Sequence, residues 1–324
     1  MIDILSIKRE AILKTKILIA FALTLCVFSV ITLYQYYLED LSDLEAARTA
    51  SNSEFIKSDL GLTRYQVFGE DNAPTIILIH SFNGFIESWK PNIEALVKAG
   101  YRVVAYDLFG RGLSDRPHTK YDLSLFRNQL DLVIKEVGAN KAHLVGSSFG
   151  CIIASDYANR YPERVESLVM VGPAGWPQED GPSPLLGIPI VSDLAFHYFG
   201  ESILRPTVEA YLLKPSKNSQ VIREWARYAG YPGFTRAALS TLRNSPVLDY
   251  LAGWEQLAVL NKPTLFIWGK QDVSFPFSNS KMLDKLVPHA KVIGIDEAAH
   301  WVNIEKAELV NSNIVDFLNI NGKQ

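Results

Sequence analysis

Residues 142–161, AHLVGSSFGCIIASDYANRY, decide how this chain folds. The apolar run AHLV predicts a strand and the stretch from Cys151 predicts a helix, with Gly-Ser-Ser-Phe-Gly between them. A serine on a sharp strand-to-helix turn needs small residues two positions to either side, because its backbone is strained and closely packed. Gly146 and Gly150 stand at these positions around Ser148, whereas Ser147 lacks such symmetric neighbours. Ser148 is therefore the predicted nucleophile; the alternative is a tight turn whose serine only caps the helix.

The alternation of short apolar runs and helical stretches extends in both directions. The runs include TIILIH, YRVVAYD and VESLVMVG, and the pattern resumes near the C-terminus with PTLFIWG and KVIGI. Such alternation predicts βαβ units and a mostly parallel sheet with helices on both faces. Between residues 176 and 258 it gives way to a mostly helical region with prolines and aromatic residues. We therefore predict one α/β core, residues 61–175 and 259–324, interrupted by a helical cap at residues 176–258.

Two residues beyond the cap complete a candidate catalytic triad. A serine hydroxyl is a weak nucleophile unless a base accepts its proton and a third group orients that base. Asp272 follows the strand PTLFIWG and His300 follows the strand KVIGI, so both are expected at the sheet edge where parallel strands end. Ser148, Asp272 and His300 also follow the chain order of such folds. Asp296 and Glu297 are competing acids, but from the loop of His300 itself the far imidazole nitrogen is harder to reach.

The loop after the strand TIILI, HSFNG at residues 80–84, has a different predicted task. Phe82 in this loop and Phe149, the residue after the nucleophile, are expected to donate backbone N–H groups to the oxyanion of the reaction. His80 ends the strand and is expected to shape the loop rather than to act as a base.

The N-terminal region predicts a membrane anchor. Residues 17–37 carry no charge and are long enough to cross a bilayer as a helix. A cleaved signal peptide and a buried core helix are the alternatives, but a signal core is usually shorter, about 7–15 residues. Lys8, Arg9, Lys14 and Lys16 precede the span, so residues 1–16 are predicted to be cytoplasmic and the body to lie on the opposite, periplasmic, extracytoplasmic or lumenal side. Residues 38–60 are polar and acidic and are interpreted as a tether.

Composition and charge exclude several classes of protein. The formal net charge of −3 over 324 residues offers no electrostatic footprint for nucleic acid. Cys26 lies in the apolar run and Cys151 beside the nucleophile, so neither belongs to a disulfide framework or a metal cluster by its position. No cofactor and no metal are predicted.

From about residue 61 to its end, the chain resembles the α/β-hydrolase superfamily. The resemblance rests on GSSFG, on DLFGRGLSD at 107–115, and on RVESLVMVGPAG, IWGKQD and AHW. With its predicted anchor, the chain is most similar to membrane-tethered monoacylglycerol-lipase-like members. It departs from the family at Ser81, since the family commonly has His-Gly at the start of the oxyanion loop. Haloalkane dehalogenases and epoxide hydrolases of this fold use an aspartate nucleophile, and Ser148 argues against both.

The resemblance implies a membrane-anchored serine hydrolase that cleaves a carboxylic ester with an apolar acyl chain through an acyl-enzyme. Cap residues such as Phe196, Phe199 and Tyr211 fit an acyl pocket, although they would equally pack the cap onto the sheet. A membrane acyltransferase, a thioesterase or a carbon–carbon bond hydrolase would use the same triad, and a tethered binding protein without turnover is a further alternative. The expected ligand is a small-molecule or lipid ester; the sequence indicates no particular protein partner.

Overall fold

The computed structural model divides the chain into two units, Met1–Asp40 and Leu41–Gln324. The residues that the structure describes are 4–37, 39–177, 183–215 and 220–321. Parts of the predicted cap, residues 178–182 and 216–219, therefore lie outside the described residues.

The first unit contains one long helix, α1, Ile4–Tyr37. Within α1, Lys8–Ile31 is long and apolar enough to cross a membrane, and none of it is buried in the structure. The sequence placed the span at residues 17–37, and α1 continues without a break through both ranges. A signal sequence near the N-terminus can also meet these requirements of length and composition, so the membrane anchor stays a proposal.

The described part of the second unit is built on one sheet, whose strands are β1 (Glu54–Ser58), β2 (Gly61–Phe68), β3 (Thr75–Ile79), β4 (Arg102–Tyr106), β5 (Ala142–Ser147), β6 (Val165–Val171), β7 (Thr264–Gly269) and β8 (Lys291–Ile295). Their order across the sheet is β1-β2-β4-β3-β5-β6-β7-β8. The hairpin of β1 and β2 is antiparallel, as is the pairing of β2 with β4, and the remaining pairs are parallel. The predicted α/β fold with a mostly parallel sheet is confirmed.

Helices cover both faces of this sheet, and further helices form the cap. They are α2 (Ser42–Thr49), α3 (Lys90–Lys98), α4 (Leu123–Glu136), α5 (Phe149–Arg160), α6 (Val191–Ala210), α7 (Gln220–Ala229), α8 (Phe234–Asn244), α9 (Leu251–Leu260), α10 (Ser280–Leu286), α11 (Val302–Glu305) and α12 (Ala307–Asn321). Short 3-10 turns occur at Ile86–Trp89, Pro162–Arg164, Pro184–Gly187 and Phe277–Asn279.

Alternate residues of β3 show how the two faces divide. Ile76 and Leu78 pack with α3 and α12, while Ile77 and Ile79 pack in the cluster that includes α4 and α5. All residues of β3 are buried. Apolar residues are therefore needed on both faces, which explains the continuous run IILI at residues 76–79.

The tether expected at residues 38–60 is wrong over most of its length. Leu44 of α2 is fully buried, and β1 pairs with β2 in the sheet. Arg48 of α2 donates to the carbonyl of Leu113 at 2.8 Å and pairs with Asp115 at 2.6 Å, which anchors α2 to the core. A polar composition suggested a solvated segment, but a paired arginine can be buried.

The C-terminal boundary of the cap also differs from the prediction at residue 258. Trp254 of α9 is fully buried and stacks on Trp176 at 5.9 Å, and its ring also meets Phe266 of β7 at 5.7 Å. The backbone of Gly253 accepts a hydrogen bond from Asn159 of α5 at 3.0 Å. Helix α9 thus belongs to the layer on the sheet, and the described cap helices are α6, α7 and α8.

Candidate active site

Ser148 occupies the turn between β5 and α5 in a strained conformation. Its φ of 54° and ψ of −112° lie outside the ordinary regions for a non-glycine residue. The turn is held by the N–H of Ser148, which donates to Val171 at 2.9 Å, and by its carbonyl, which accepts from Cys151 at 3.0 Å. A Cβ at Gly146 would lie 2.4 Å from the carbonyl of Gly150. A Cβ at Gly150 would lie 2.2 Å from the carbonyl of Ile79, so both glycines are sterically required.

His300 links Ser148 to Asp272. Its Nε2 lies 2.8 Å from the Ser148 Oγ, and its Nδ1 lies 2.7 Å from the Asp272 Oδ2. A carboxylate only accepts hydrogen bonds, so Nδ1 carries the proton and Nε2 is left to accept from the serine hydroxyl. All three side chains are buried. The structure thus brings together the three residues selected from the sequence.

Asp272 is held in place independently of His300. Its Oδ1 accepts backbone N–H bonds from Ser274 at 2.8 Å and Phe275 at 2.9 Å, which leaves Oδ2 for the imidazole. The competing acids point elsewhere, because Asp296 pairs with Lys270 at 3.0 Å and Glu297 pairs with Lys306 at 3.1 Å. Ser147, the competing serine, ends β5 opposite Val171, and its Oγ is buried.

The loop after β3 is fixed by two buried side chains. His80 donates from Nδ1 to the carbonyl of Ser81 at 2.8 Å and accepts at Nε2 from the N–H of Leu108 at 2.9 Å. Burial lowers the pKa of His80 to about 3, so its imidazole is neutral and can hold both bonds. Arg111 donates from Nε to the carbonyl of Phe82 at 2.6 Å. The peptide group after Phe82 is therefore oriented by a charged donor.

Arg111 also reaches the cap. Its guanidinium lies 4.8 Å from the ring centroid of Phe82 and 5.4 Å from that of Phe234 on α8, and it donates to the hydroxyl of Thr241 at 3.4 Å. Burial lowers the pKa of Arg111 to about 10. In the sequence, Arg111 is one residue of DLFGRGLSD, and no local pattern indicates its contacts with Phe82 and α8.

Ser81, the departure from the family pattern, has a defined partner. Its Oγ accepts a hydrogen bond from the indole Nε1 of Trp301 at 3.1 Å, and Trp301 directly follows His300. The loop that carries Phe82 and the loop that carries His300 are thereby joined.

Tyr211, at the end of α6, packs directly on the histidine loop. Its ring centroid lies 4.6 Å from that of His300 and 5.1 Å from that of Trp301, and its carbonyl accepts the N–H of Trp301 at 2.9 Å. The phenol oxygen of Tyr211 accepts a hydrogen bond from Asn83 at 3.4 Å, and burial raises the pKa of Tyr211 to about 12. With Phe275, whose ring lies 5.6 Å from that of His300, Tyr211 gives the site aromatic walls. From the sequence alone, Tyr211 is only one of several cap residues that fit an acyl pocket.

The described residues offer no group of three His, Cys, Asp or Glu side chains placed to hold a metal ion. His143 on β5 bonds to Ser167 at 2.8 Å, in agreement with a structural role.

The chain matches the family model described as "alpha/beta hydrolase fold" over residues 74–307. It belongs to this family and is a hydrolase of the α/β type.

An AB hydrolase superfamily protein of Bacillus subtilis is 28% identical over 77% of this chain and 92% of its own length. A 2-hydroxy-6-oxononadienedioate/2-hydroxy-6-oxononatrienedioate hydrolase of Paraburkholderia phymatum is 28% identical over 86% of this chain and 99% of its own length. Among solved structures, a meta-cleavage product hydrolase from Pseudomonas fluorescens is 26% identical with a TM-score of 0.66, over 82% of this chain and 97% of that one.

Proposed function

We propose that this protein is a membrane-anchored serine hydrolase that cleaves a carboxylic ester with an apolar acyl chain. The observation that supports it most is the continuous chain of hydrogen bonds from Ser148 through His300 to Asp272, 2.8 Å and 2.7 Å long. A serine bonded to an imidazole that is itself bonded to a carboxylate is the arrangement that activates a hydroxyl for acyl transfer.

In the first half-reaction, Ser148 Oγ attacks the ester carbonyl carbon while its proton passes to His300 Nε2. The carbonyl oxygen becomes an oxyanion, to which the N–H groups of Phe82 and Phe149 would donate. The bond to the leaving oxygen then breaks, and His300 gives its proton to the departing alcohol. In the second half-reaction water attacks the acyl-enzyme with His300 again as the base, which releases the acid and restores Ser148.

The aromatic surroundings of His300 support an apolar acyl group. Tyr211 and Phe275 flank the imidazole, and the charge of Arg111 is directed at the carbonyl of Phe82. A monoacylglycerol-like ester fits these surroundings together with an anchored enzyme. A thioester substrate or transfer of the acyl group to an alcohol other than water would use the same acyl-enzyme.

Carbon–carbon bond hydrolysis is the second candidate. The names of two relatives at 26% and 28% identity, a meta-cleavage product hydrolase and an oxononadienedioate hydrolase, favour it. In that reaction a ketone carbonyl takes the place of the ester carbonyl, and a carbanion takes the place of the alkoxide as leaving group.

The membrane anchor and its orientation are further parts of the proposal. The four basic residues Lys8, Arg9, Lys14 and Lys16 precede the uncharged residues 17–37, which favours an N-terminus in the cytoplasm. Arg48, the first basic residue after it, is buried in the folded unit. A protease added to sealed cytoplasm-side-in vesicles should digest the folded unit; full protection would indicate the reverse orientation.

The chemistry is tested with the purified chain and its Ser148→Ala variant. A fluorophosphonate should label the parent once, at Ser148, and the parent should hydrolyse a water-soluble p-nitrophenyl ester. A vinylogous 1,5-diketone is assayed in parallel as the substrate for carbon–carbon bond hydrolysis. The ratio of kcat/KM for the ester to kcat/KM for the diketone then separates the two candidate reactions. Labelling or turnover that survives Ser148→Ala would refute the assignment of the nucleophile.

A further inference from the structure

Asn83 and Tyr211 form a buried polar pair beside the candidate triad. Asn83 is 1% exposed and follows Phe82 in the loop after β3, and Tyr211 follows the last residue of α6. Nδ2 of Asn83 donates to the phenol oxygen of Tyr211 at 3.4 Å, and the ring of Tyr211 lies 4.6 Å from that of His300. We call Asn83 and Tyr211 the amide–phenol pair. It lies between the loop expected to bind the oxyanion and the histidine expected to act as the base.

The amide–phenol pair has more hydrogen-bonding groups than it uses. Oδ1 of Asn83 is buried and accepts no hydrogen bond from the described residues. Burial raises the pKa of Tyr211 to about 12, so the phenol keeps its proton at neutral pH. The bond from Asn83 occupies a lone pair of the phenol oxygen, and the phenol proton remains for another acceptor. An acceptor and a donor are therefore open side by side.

This count does not depend on which way the amide of Asn83 is turned. With the amide turned over, the phenol of Tyr211 donates to the amide oxygen, and the amide N–H groups and a phenol lone pair stay open instead. A donor and an acceptor are available in both arrangements.

The loop holds Asn83 in this place. Gly84 donates its N–H to the carbonyl of Ser81 at 2.8 Å, which closes a turn with Phe82 and Asn83 at its centre. Arg111 donates to the carbonyl of Phe82 at 2.6 Å, so the peptide group before Asn83 is fixed as well. A buried amide oxygen that accepts no hydrogen bond is costly in a folded protein. At a catalytic centre it indicates a position that a polar group of the substrate fills.

We propose that the amide–phenol pair binds a free hydroxyl group on the alcohol part of the substrate. This inference rests on the proposed ester hydrolysis and makes its substrate more specific. A hydroxyl group both donates and accepts, so it satisfies both open positions of the pair, whereas an alkyl group satisfies neither.

The contact with His300 places this hydroxyl on the alcohol rather than on the acyl chain. His300 has to reach the leaving oxygen in order to return its proton, so the alcohol lies beside the imidazole. The ring of Tyr211 packs on the same imidazole. The substrate is then an ester of a diol or polyol that keeps a hydroxyl free, with Asn83 and Tyr211 as specificity-determining residues.

Two esters of equal size test this on the full chain. In 2-hydroxyethyl butanoate a hydroxyl group takes the place of the terminal methyl group of propyl butanoate, and both esters are soluble in water. The parent should hydrolyse the hydroxyethyl ester with a kcat/KM roughly tenfold higher, because the propyl ester leaves the pair without a partner. Since the hydroxyl is bound before and during the reaction, most of the difference should lie in KM.

Two variants test whether the amide–phenol pair makes this distinction. Asn83→Leu and Tyr211→Phe keep most of the side-chain volume and remove the polar atoms. Each should bring the ratio of the two kcat/KM values close to one. Tyr228→Phe is the matched control, because Tyr228 is a buried tyrosine of the cap helix α7 whose phenol oxygen accepts from Arg64 at 3.3 Å. It should show the same ratio as the parent.

Three results would overturn the proposal. In the first, the ratio is near one in the parent, which would mean that the pair binds water with either ester. In the second, the high ratio survives in Asn83→Leu or in Tyr211→Phe, or is also lost in Tyr228→Phe. In the third, propyl 3-hydroxybutanoate is the preferred ester, which would place the hydroxyl on the acyl chain. If Asn83→Leu does not fold, Tyr211→Phe decides, because it removes a single oxygen atom.

The Ser148→Ala variant separates this inference from the proposed function. If the parent hydrolyses neither ester, or if turnover survives in Ser148→Ala, ester hydrolysis by Ser148 fails and the inference falls with it. If both esters are hydrolysed through Ser148 with equal kcat/KM, only the inference fails.

Discussion

The sheet edge that carries Ser148 and the cap that packs on it are held by different kinds of interaction. At the sheet edge, directional hydrogen bonds between buried groups determine the geometry, as for His300, Asp272 and His80. The cap contacts the site mainly through aromatic rings, above all Tyr211, and its helix α6 exposes apolar residues. Directional bonds fail when one partner is lost, whereas apolar packing tolerates substitution of similar volume. Changes at the sheet edge should therefore cost more activity than changes in the cap.

The largest effect should come from Asp272→Asn. An amide at this position would favour the wrong imidazole tautomer, and kcat should fall by on the order of 10⁴-fold with the fold retained. Asp296→Asn is the matched control, since Asp296 pairs with the exposed Lys270. Steady-state kinetics on a soluble ester and circular dichroism of both variants check this; a larger loss in Asp296→Asn would assign the carboxylate role to Asp296.

His80 should make the stability of the sheet edge depend on pH. Its pKa is lowered from 6.5 to about 3 by burial, so between these values the unfolded chain binds a proton that the native chain does not. The free energy of unfolding should therefore fall as the pH decreases from 6.5 towards 3, by up to about 1.4 kcal/mol per pH unit from this one group. Thermal unfolding at several pH values should show a weaker dependence in His80→Gln than in the parent. An identical slope in both chains would mean that His80 titrates normally in the native state.

The bond between Ser81 and Trp301 should have a smaller effect on catalysis. A double-mutant cycle with Ser81→Ala and Trp301→Phe should give a coupling energy of about 1 kcal/mol in kcat, as for a buried neutral hydrogen bond. Because the bond positions two loops and contacts no substrate, kcat should change more than KM. If the effects of Ser81→Ala and Trp301→Phe on kcat are additive in the double variant, the two loops are held independently.

The smallest effect should come from deletion of residues 1–38. The folded unit begins at Leu41, and the residues proposed for catalysis all lie within it. Turnover of a short, soluble ester should therefore be unchanged, while the rate on a vesicle-borne ester should fall because tethering no longer raises the local substrate concentration. Loss of both activities would show that the first unit contributes to folding.

The residues brought together at the sheet edge could be predicted from local sequence. A serine between two glycines at a strand-to-helix turn has one stable geometry, and Asp272 and His300 follow strands whose ends must meet the same edge. The fold class followed from the same alternation of apolar runs. Here short-range patterns and the long-range fold require the same residues.

Contacts between distant segments could not be predicted in this way. The burial of α2 depends on Arg48 meeting Leu113 and Asp115, more than sixty residues away, and composition alone showed only a polar segment. The contact of Tyr211 with His300 likewise depends on how the cap folds back over the sheet. A hydrophobic residue in a helical region can pack against many other residues, so the local sequence does not determine which of them it contacts.

The spacing of 152 residues between Ser148 and His300 also has a consequence during biosynthesis. At roughly 5–20 residues per second, His300 is synthesised about 8 to 30 seconds after Ser148. Until β8 and the loop after it have been made and have joined the sheet, the serine hydroxyl has no imidazole to accept its proton. A growing or truncated chain should therefore lack the proposed hydrolase activity, because the proposed triad is complete only when nearly the whole chain has been synthesised.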